Sequence, residues 1–298
     1  MNTKQAFLKF FHLTAVTAIT GIFSISVIAQ KPQDVIHVES YGKGDPVILI
    51  PGLMSDGSVW QQTIEQLQDD HQVLVVNVAG FGKTPKVAGT NLHKVEQAIV
   101  DYVNQHHIKQ PVVIGHSMGG FLSLALAVNP NIEVKKAISV DGLPYIGAIF
   151  ARTNQVTVDM MQPQAKGALA YFQNMDQQQL VAQTRQGLAI QATSQQAQQK
   201  ILDFAAESDP VTVGQITYDL LMRDIRQELV GDKTPILMLG ASGGFDTDEQ
   251  HAAVESLYRG QLANSPNAQV QMNTHSRHFI MFDDAKWLAT QIAQFIGE

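Results

Sequence analysis

Val112-Val113-Ile114-Gly115-His116-Ser117-Met118-Gly119-Gly120-Phe121 is the stretch whose reading decides the fold. A short β-branched run leads into Gly-x-Ser-x-Gly, and apolar residues continue behind it through 121–128. This is strand, sharp turn and helix in the order that a nucleophile elbow requires. The spacing has a physical cause. A serine lifted above a sheet on so tight a turn sits in strained backbone, and side chains two residues either side would collide. The helix behind it directs free N–H groups and its positive dipole end at the hydroxyl. As a bare pattern the motif is weak, because Gly240-Ala241-Ser242-Gly243-Gly244 matches it too. No apolar-periodic helix starts directly behind Ser242, and too little chain follows it to complete a sheet. Ser117 is therefore the candidate nucleophile.

Working outward, 35–39 and 47–50 are short β-type runs. Tyr41-Gly42-Lys43-Gly44-Asp45 between them is turn chemistry, so the two read as a hairpin. Residues 73–78 form a nearly continuous apolar run, as in a strand covered on both faces. Helical spacing predicts helices over 59–67, over 92–103 (Leu92, Val95, Ile99 and Val103 on one face), over 249–262 and over 287–296. Further strands are predicted at 112–114, 137–140, 235–239 and 268–272. The alternation points to an α/β fold with a mostly parallel, doubly wound sheet. It breaks between Gly142 and Gly231, where no strand is predicted. Fourteen glutamines lie between Gln155 and Gln199. Low-complexity linkers have such composition, but Met160, Met161, Leu169, Phe172, Leu180, Leu188, Ile201 and Phe204 recur at helical intervals. The expectation is a helical cap at 143–230, inserted into a core made of 30–142 and 231–298.

Composition excludes several classes. The chain has 298 residues, 45% hydrophobic and 16% charged, with a formal net charge of −7 and no cysteine. A chain of this length buries enough apolar surface to fold without disulfide or zinc staples. It has no thiol nucleophile and no Cys-ligated metal. Its negative charge supplies no basic field for nucleic acid. Lys4 and Lys9 precede an uncharged apolar stretch, and Val27-Ile28-Ala29 fits the small-residue rule for cleavage before Gln30. Residues 1–29 are thus expected to be a signal peptide that exports the protein to the periplasm or beyond, with no lasting membrane insertion. An uncleaved anchor would have about this length, but Thr14, Thr17, Thr20, Ser24 and Ser26 dilute the apolarity.

With these features assembled, 35–298 resembles the α/β-hydrolase superfamily, in its serine esterase and lipase branch with a helical cap. Ile48-Leu49-Ile50-Pro51-Gly52-Leu53-Met54 resembles the strand and loop that carry the superfamily's oxyanion hole, with Pro51 where histidine is commoner. Asn77-Val78-Ala79-Gly80-Phe81-Gly82-Lys83-Thr84 resembles its D-x-P-G-x-G-x-S turn, departing at Asn77, Ala79 and Thr84. A phosphate-loop reading of Gly82-Lys83-Thr84 fails, because it would need glycine where Asn77 stands. Val140-Asp141-Gly142-Leu143-Pro144 resembles a strand end that holds the triad acid in a subset of members. Arg277-His278-Phe279 resembles the superfamily's histidine segment.

The resemblance implies roles. His278 is the base, preferred to His275, which lacks the segment's context. The backbone N–H groups of Leu53 and Met118 form the oxyanion hole. Two sites compete for the acid. Asp246 follows the strand 235–239, where the superfamily most often places it, but lies further along than usual. Asp141 stands at its strand terminus without any detour and is favoured. The implied activity is that of an exported serine hydrolase cleaving carboxylic esters through a Ser-His-Asp triad and an acyl-enzyme. Its partner would be a small ester-like substrate, and no cofactor or metal is implied. An amidase or lactonase would use the same triad, and a non-catalytic binding protein would keep the same fold.

Overall fold

Residues 35–297 are described by the computed structural model. The expected signal peptide and its cleavage point before Gln30 lie outside the described residues. Seven strands are present among those described: β1 (Ile36–Tyr41), β2 (Asp45–Ile50), β3 (His71–Val78), β4 (Val112–His116), β5 (Lys136–Val140), β6 (Ile236–Ala241) and β7 (Ala268–Asn273). They form one sheet in the order β1-β3-β2-β4-β5-β6-β7. All neighbours pair in parallel except β1 and β3.

The period-two alternation of the strands builds two separate cores. Ile48, Ile50, Leu74, Val76 and Val78 point to one face, where they meet Leu92, Val95, Ile99 and Val103 of α2 (Leu92–Gln105) and Phe121 and Leu122 of α3 (Met118–Ala127). Val47, Leu49, Val73 and Val75 point to the other. There they meet Trp60, Ile64 and Leu67 around α1 (Gln61–Leu67), and Leu288, Ile292 and Phe295 of α12 (Ala285–Gly297). Strands buried on both faces need unbroken apolar runs, which is why β2 and β3 are so rich in Val, Ile and Leu. Two further helices flank the sheet, α10 (Asp248–Gln261) and the short α11 (Ile280–Asp283).

The hairpin expected for 35–50 does not form. β1 pairs antiparallel with β3, from Ile36 opposite Val78 to Tyr41 opposite Val73, and β2 pairs with β3 in parallel on its other edge. The turn reverses the chain as its glycines predict, but leaves the width of one strand open, and β3 fills it. Gly42 and Gly44 both have positive φ. A side chain on either would strike the backbone entering β3, at Gln68 O (2.1 Å) and Asp70 O (2.2 Å) respectively. Turn composition thus marks the reversal without saying which strand pairs with which.

Between β5 and β6 the chain is helical: α4 (Gly147–Ala151), α5 (Val158–Gln173), α6 (Gln177–Gln186), α7 (Leu188–Gln191), α8 (Gln195–Glu207) and α9 (Pro210–Met222). Asp or Ser/Thr caps start α5, α6, α8 and α9, each satisfying a free helical N–H. Tyr145, Ala148, Val156, Met161, Ala165 and Leu221 form a core of their own. Glutamine serves here as a tie between elements. Gln177 Nε2 donates to the carbonyls of Ala205, Ala206 and Ser208 at the end of α8. Charged groups fasten α9 and its exit to the sheet half. Asp219 accepts from the Leu92 N–H at the start of α2 (2.9 Å), and Arg223 pairs with the buried Glu96.

Candidate active site

Ser117 occupies the turn between β4 and α3 with φ 55° and ψ −114°. A non-glycine residue pays for such a conformation, and it persists only where its surroundings dictate it. They do so here at very short range. A Cβ on Gly115 would stand 1.8 Å from the carbonyl oxygen of Gly119, and one on Gly119 would stand 2.1 Å from that of Ile50. Both motif glycines are therefore required by contact with backbone, which cannot yield. The Ser117 N–H is tied to Val140 O at 2.9 Å, and the first intrahelical bond of α3 runs from Phe121 N to Ser117 O. Met118 is the first residue of α3, so its N–H belongs to the set that an α-helix leaves without an internal partner. The loop Pro51-Gly52-Leu53 passes beside the elbow: the Cβ direction of Gly52 points at His116 Nδ1 and Ser117 Cβ.

Asp141 lies one residue beyond β5 and also has positive φ (52°). Asp tolerates this region better than most residues. Its carboxylate is fully engaged. Oδ2 accepts from His278 Nδ1 at 2.6 Å. Oδ1 accepts from the Ala241 N–H at 2.8 Å and the Tyr258 hydroxyl at 2.7 Å. Since a carboxylate only accepts, Nδ1 of His278 carries the proton, and Nε2 keeps its lone pair for another partner. His278 is a quarter exposed and Asp141 nearly buried, the arrangement of a base open to a substrate and an acid shielded from water.

His116, between Gly115 and Ser117, supports the same imidazole. Its ring lies 4.6 Å from that of His278, and its Nε2 donates to the His278 carbonyl at 3.1 Å. Burial, and after it the electrostatic influence of His278, holds the His116 imidazole well below the ordinary histidine range. It is therefore a neutral strut. The helical stretch between β5 and β6 binds the backbone of the histidine segment. The N–H groups of His278 and Phe279 donate to the carbonyls of Ile190 and Gln191 in α7 (3.3 and 2.8 Å). Arg277 reaches Ala192 O, and Thr193 is bound by Asp283.

The rival residues lie elsewhere. Asp246 is exposed, and its N–H binds Gln250 Oε1 at the start of α10. His275 is exposed, with its N–H on Asn273 Oδ1. Ser242 is buried and bound to His251 Nδ1 at 2.8 Å. Leu53 is half-buried in its loop. Tyr258, Ala241 and His116 are the members that the sequence did not single out. Only His116 carried a visible signal, by standing inside the motif. Among the described residues, no group of three His, Cys, Asp or Glu side chains is arranged to hold a metal ion, and no helix is long and apolar enough to cross a membrane.

The family model for the alpha/beta hydrolase fold matches residues 45–285. The chain belongs to this family. Among curated relatives, the pimeloyl-[acyl-carrier protein] methyl ester esterase of Vibrio campbellii is 34% identical over 113 residues, which is 38% of this chain and 43% of that protein. The protein of the same description from Legionella pneumophila is 29% identical over 109 residues, 37% of this chain and 43% of that one. The matches thus span less than half the length of these relatives. Among solved structures, an esterase from Exiguobacterium antarcticum superposes with a TM-score of 0.73 at 16% identity, covering 88% of this chain and 96% of that one. A thermophilic esterase from Thermogutta terrifontis gives 0.72 at 17%, covering 88% and 92%. These likenesses establish the fold of this hydrolase-family chain.

Proposed function

We propose that this member of the α/β-hydrolase family is an exported serine hydrolase that cleaves carboxylic esters. The observation that carries the reading is the 2.6 Å contact between His278 Nδ1 and Asp141 Oδ2, in a site whose elbow holds Ser117 in strained backbone. Ser117 attacks the ester carbonyl as His278 Nε2 takes its proton. The Leu53 and Met118 N–H groups stabilise the oxyanion. His278 then gives the proton to the departing alcohol, leaving an acyl-enzyme. Water, deprotonated by the same imidazole, attacks the acyl carbon and releases the acid. Asp141 keeps the imidazole in the right tautomer and balances its charge. The Vibrio and Legionella relatives are described as methyl ester esterases, which favours an ester over an amide. The helices between β5 and β6 act as a cap that excludes water from the reacting bond.

The test is labelling with a fluorophosphonate and turnover of p-nitrophenyl esters of rising acyl length. The native protein labels at Ser117 and hydrolyses the short esters, and Ser117→Ala loses labelling and about 10⁶-fold in kcat. A native protein that neither labels nor turns over any ester of the series overturns the proposal. Export rests on Lys4, Lys9 and the apolar stretch before Gln30, and is checked by sequencing the N-terminus of the protein recovered outside the cytoplasm.

A further inference from the structure

The Gly240-Ala241-Ser242-Gly243-Gly244 segment repeats the elbow pattern without an elbow's geometry, and its surroundings show a different use. It ends β6 beside Asp141. The Ala241 N–H binds Asp141 Oδ1. The ring of Tyr258, from α10, lies against Gly240, so that a Cβ at that position would stand 2.8 Å from Tyr258 Cδ1 and 2.5 Å from Met272 Sδ. The absence of a side chain at 240 lets the tyrosine reach across the strand end. Its hydroxyl meets Asp141 Oδ1 at 2.7 Å, and the residue is 4% exposed. Burial first, then the Asp141 charge and the hydrogen bond itself, raises the phenol well above its ordinary value, so it remains an O–H donor.

We propose that Tyr258 is a positioning residue for the reaction, orienting the Asp141 carboxylate so that Oδ2 meets His278 Nδ1, and that Gly240 exists to admit it. The proposal rests on the triad reading above. A carboxylate held only by its own χ angles could rotate and offer either oxygen at a poor angle. With the Ala241 N–H and the Tyr258 hydroxyl both on Oδ1, one orientation remains. The tyrosine O–H also draws negative charge away from the edge that faces the imidazole. Titratable groups facing the pair include Tyr258 from α10 and His116 from the elbow.

The experiment is Tyr258→Phe in the native and Asp141→Asn backgrounds, assayed across pH on a short p-nitrophenyl ester. In the native background kcat falls about tenfold, the loss expected for one hydrogen bond to a charged group, with KM unchanged. The acidic limb of the kcat/KM profile moves to higher pH, because the less neutralised carboxylate holds the protonated imidazole more firmly. In the Asp141→Asn background the same substitution costs nothing further, because its target is gone. A Tyr258→Phe enzyme with native kcat and pH profile overturns the inference, as does an equal loss in both backgrounds. An Asp141→Asn enzyme with native kcat overturns the triad reading itself, so the two failures are distinguishable.

Discussion

Ser117 and Asp141 end adjacent strands, share a positive φ near 50° and lie on one site, yet their neighbours come from very different distances along the chain. Ser117 is shaped chiefly by Gly115 and Gly119, two residues away on either side, with Ile50 and Val140 of the flanking strands as the distant contacts. Asp141 is held by Ala241, Tyr258 and His278, which are 100, 117 and 137 residues away. A turn that writes its own constraints leaves a motif. A carboxylate whose partners are brought in by three other elements leaves none. The elbow is therefore rigid through the backbone, while the acid end is rigid only as long as the sheet, α10 and the histidine segment are assembled.

The sharpest way to break this comparison is at the acid. Asp141→Asn is expected to lower kcat about 10⁴-fold, the loss known when a triad acid is made an amide, while Asp246→Asn leaves it unchanged. Steady-state hydrolysis of a p-nitrophenyl ester decides, and the reverse outcome moves the acid to the later loop. A second contrast sets the two glycine patterns against each other. Gly115→Ala drives a methyl into a carbonyl that cannot move, and should cost more than about 4 kcal/mol in urea unfolding or abolish the soluble protein. Gly240→Ala meets a methionine sulfur and the side of a ring, both able to shift, and should cost about 1–3 kcal/mol. Equal costs would mean that the acid end is as inflexible as the elbow.

A smaller effect concerns His116. Its folded-state value is depressed, so the unfolded chain takes up a proton that the folded chain refuses. The contribution is present above the ordinary histidine value and is lost as pH falls below it. The slope reaches up to about 1.4 kcal/mol per pH unit. Unfolding free energies at pH 7.5 and pH 5 should differ less for His116→Gln than for the native protein. An unchanged difference would mean that the imidazole gains a proton in place.

The same division explains what could be read in advance. The alternation of apolar runs revealed all seven described strands in place and the helical stretch between Gly142 and Gly231, because burial on one or both faces imprints itself locally. The pairing of β1 did not show, since Tyr41 and Val73 are far apart in sequence and turn residues say nothing of partners. At the candidate site, the glycines pointed to Ser117 and the segment's resemblance to His278, and the structure brings His278 against Asp141. Asp141 had to be weighed against Asp246, because both follow strand ends and only the assembled sheet shows that Asp246 faces solvent. Tyr258 was invisible: on an amphipathic helix, a tyrosine that packs and a tyrosine that hydrogen-bonds look alike.

The bonds from α7 to the histidine segment bear on how enzymes of this architecture can diversify. The Ile190 and Gln191 carbonyls accept from the His278 and Phe279 amides, so α7 braces the segment that carries His278. A transplanted insertion from another chain would have to bring equivalent acceptors or leave these two backbone amides without partners. On the proposed function, α7 couples substrate selection to proton transfer.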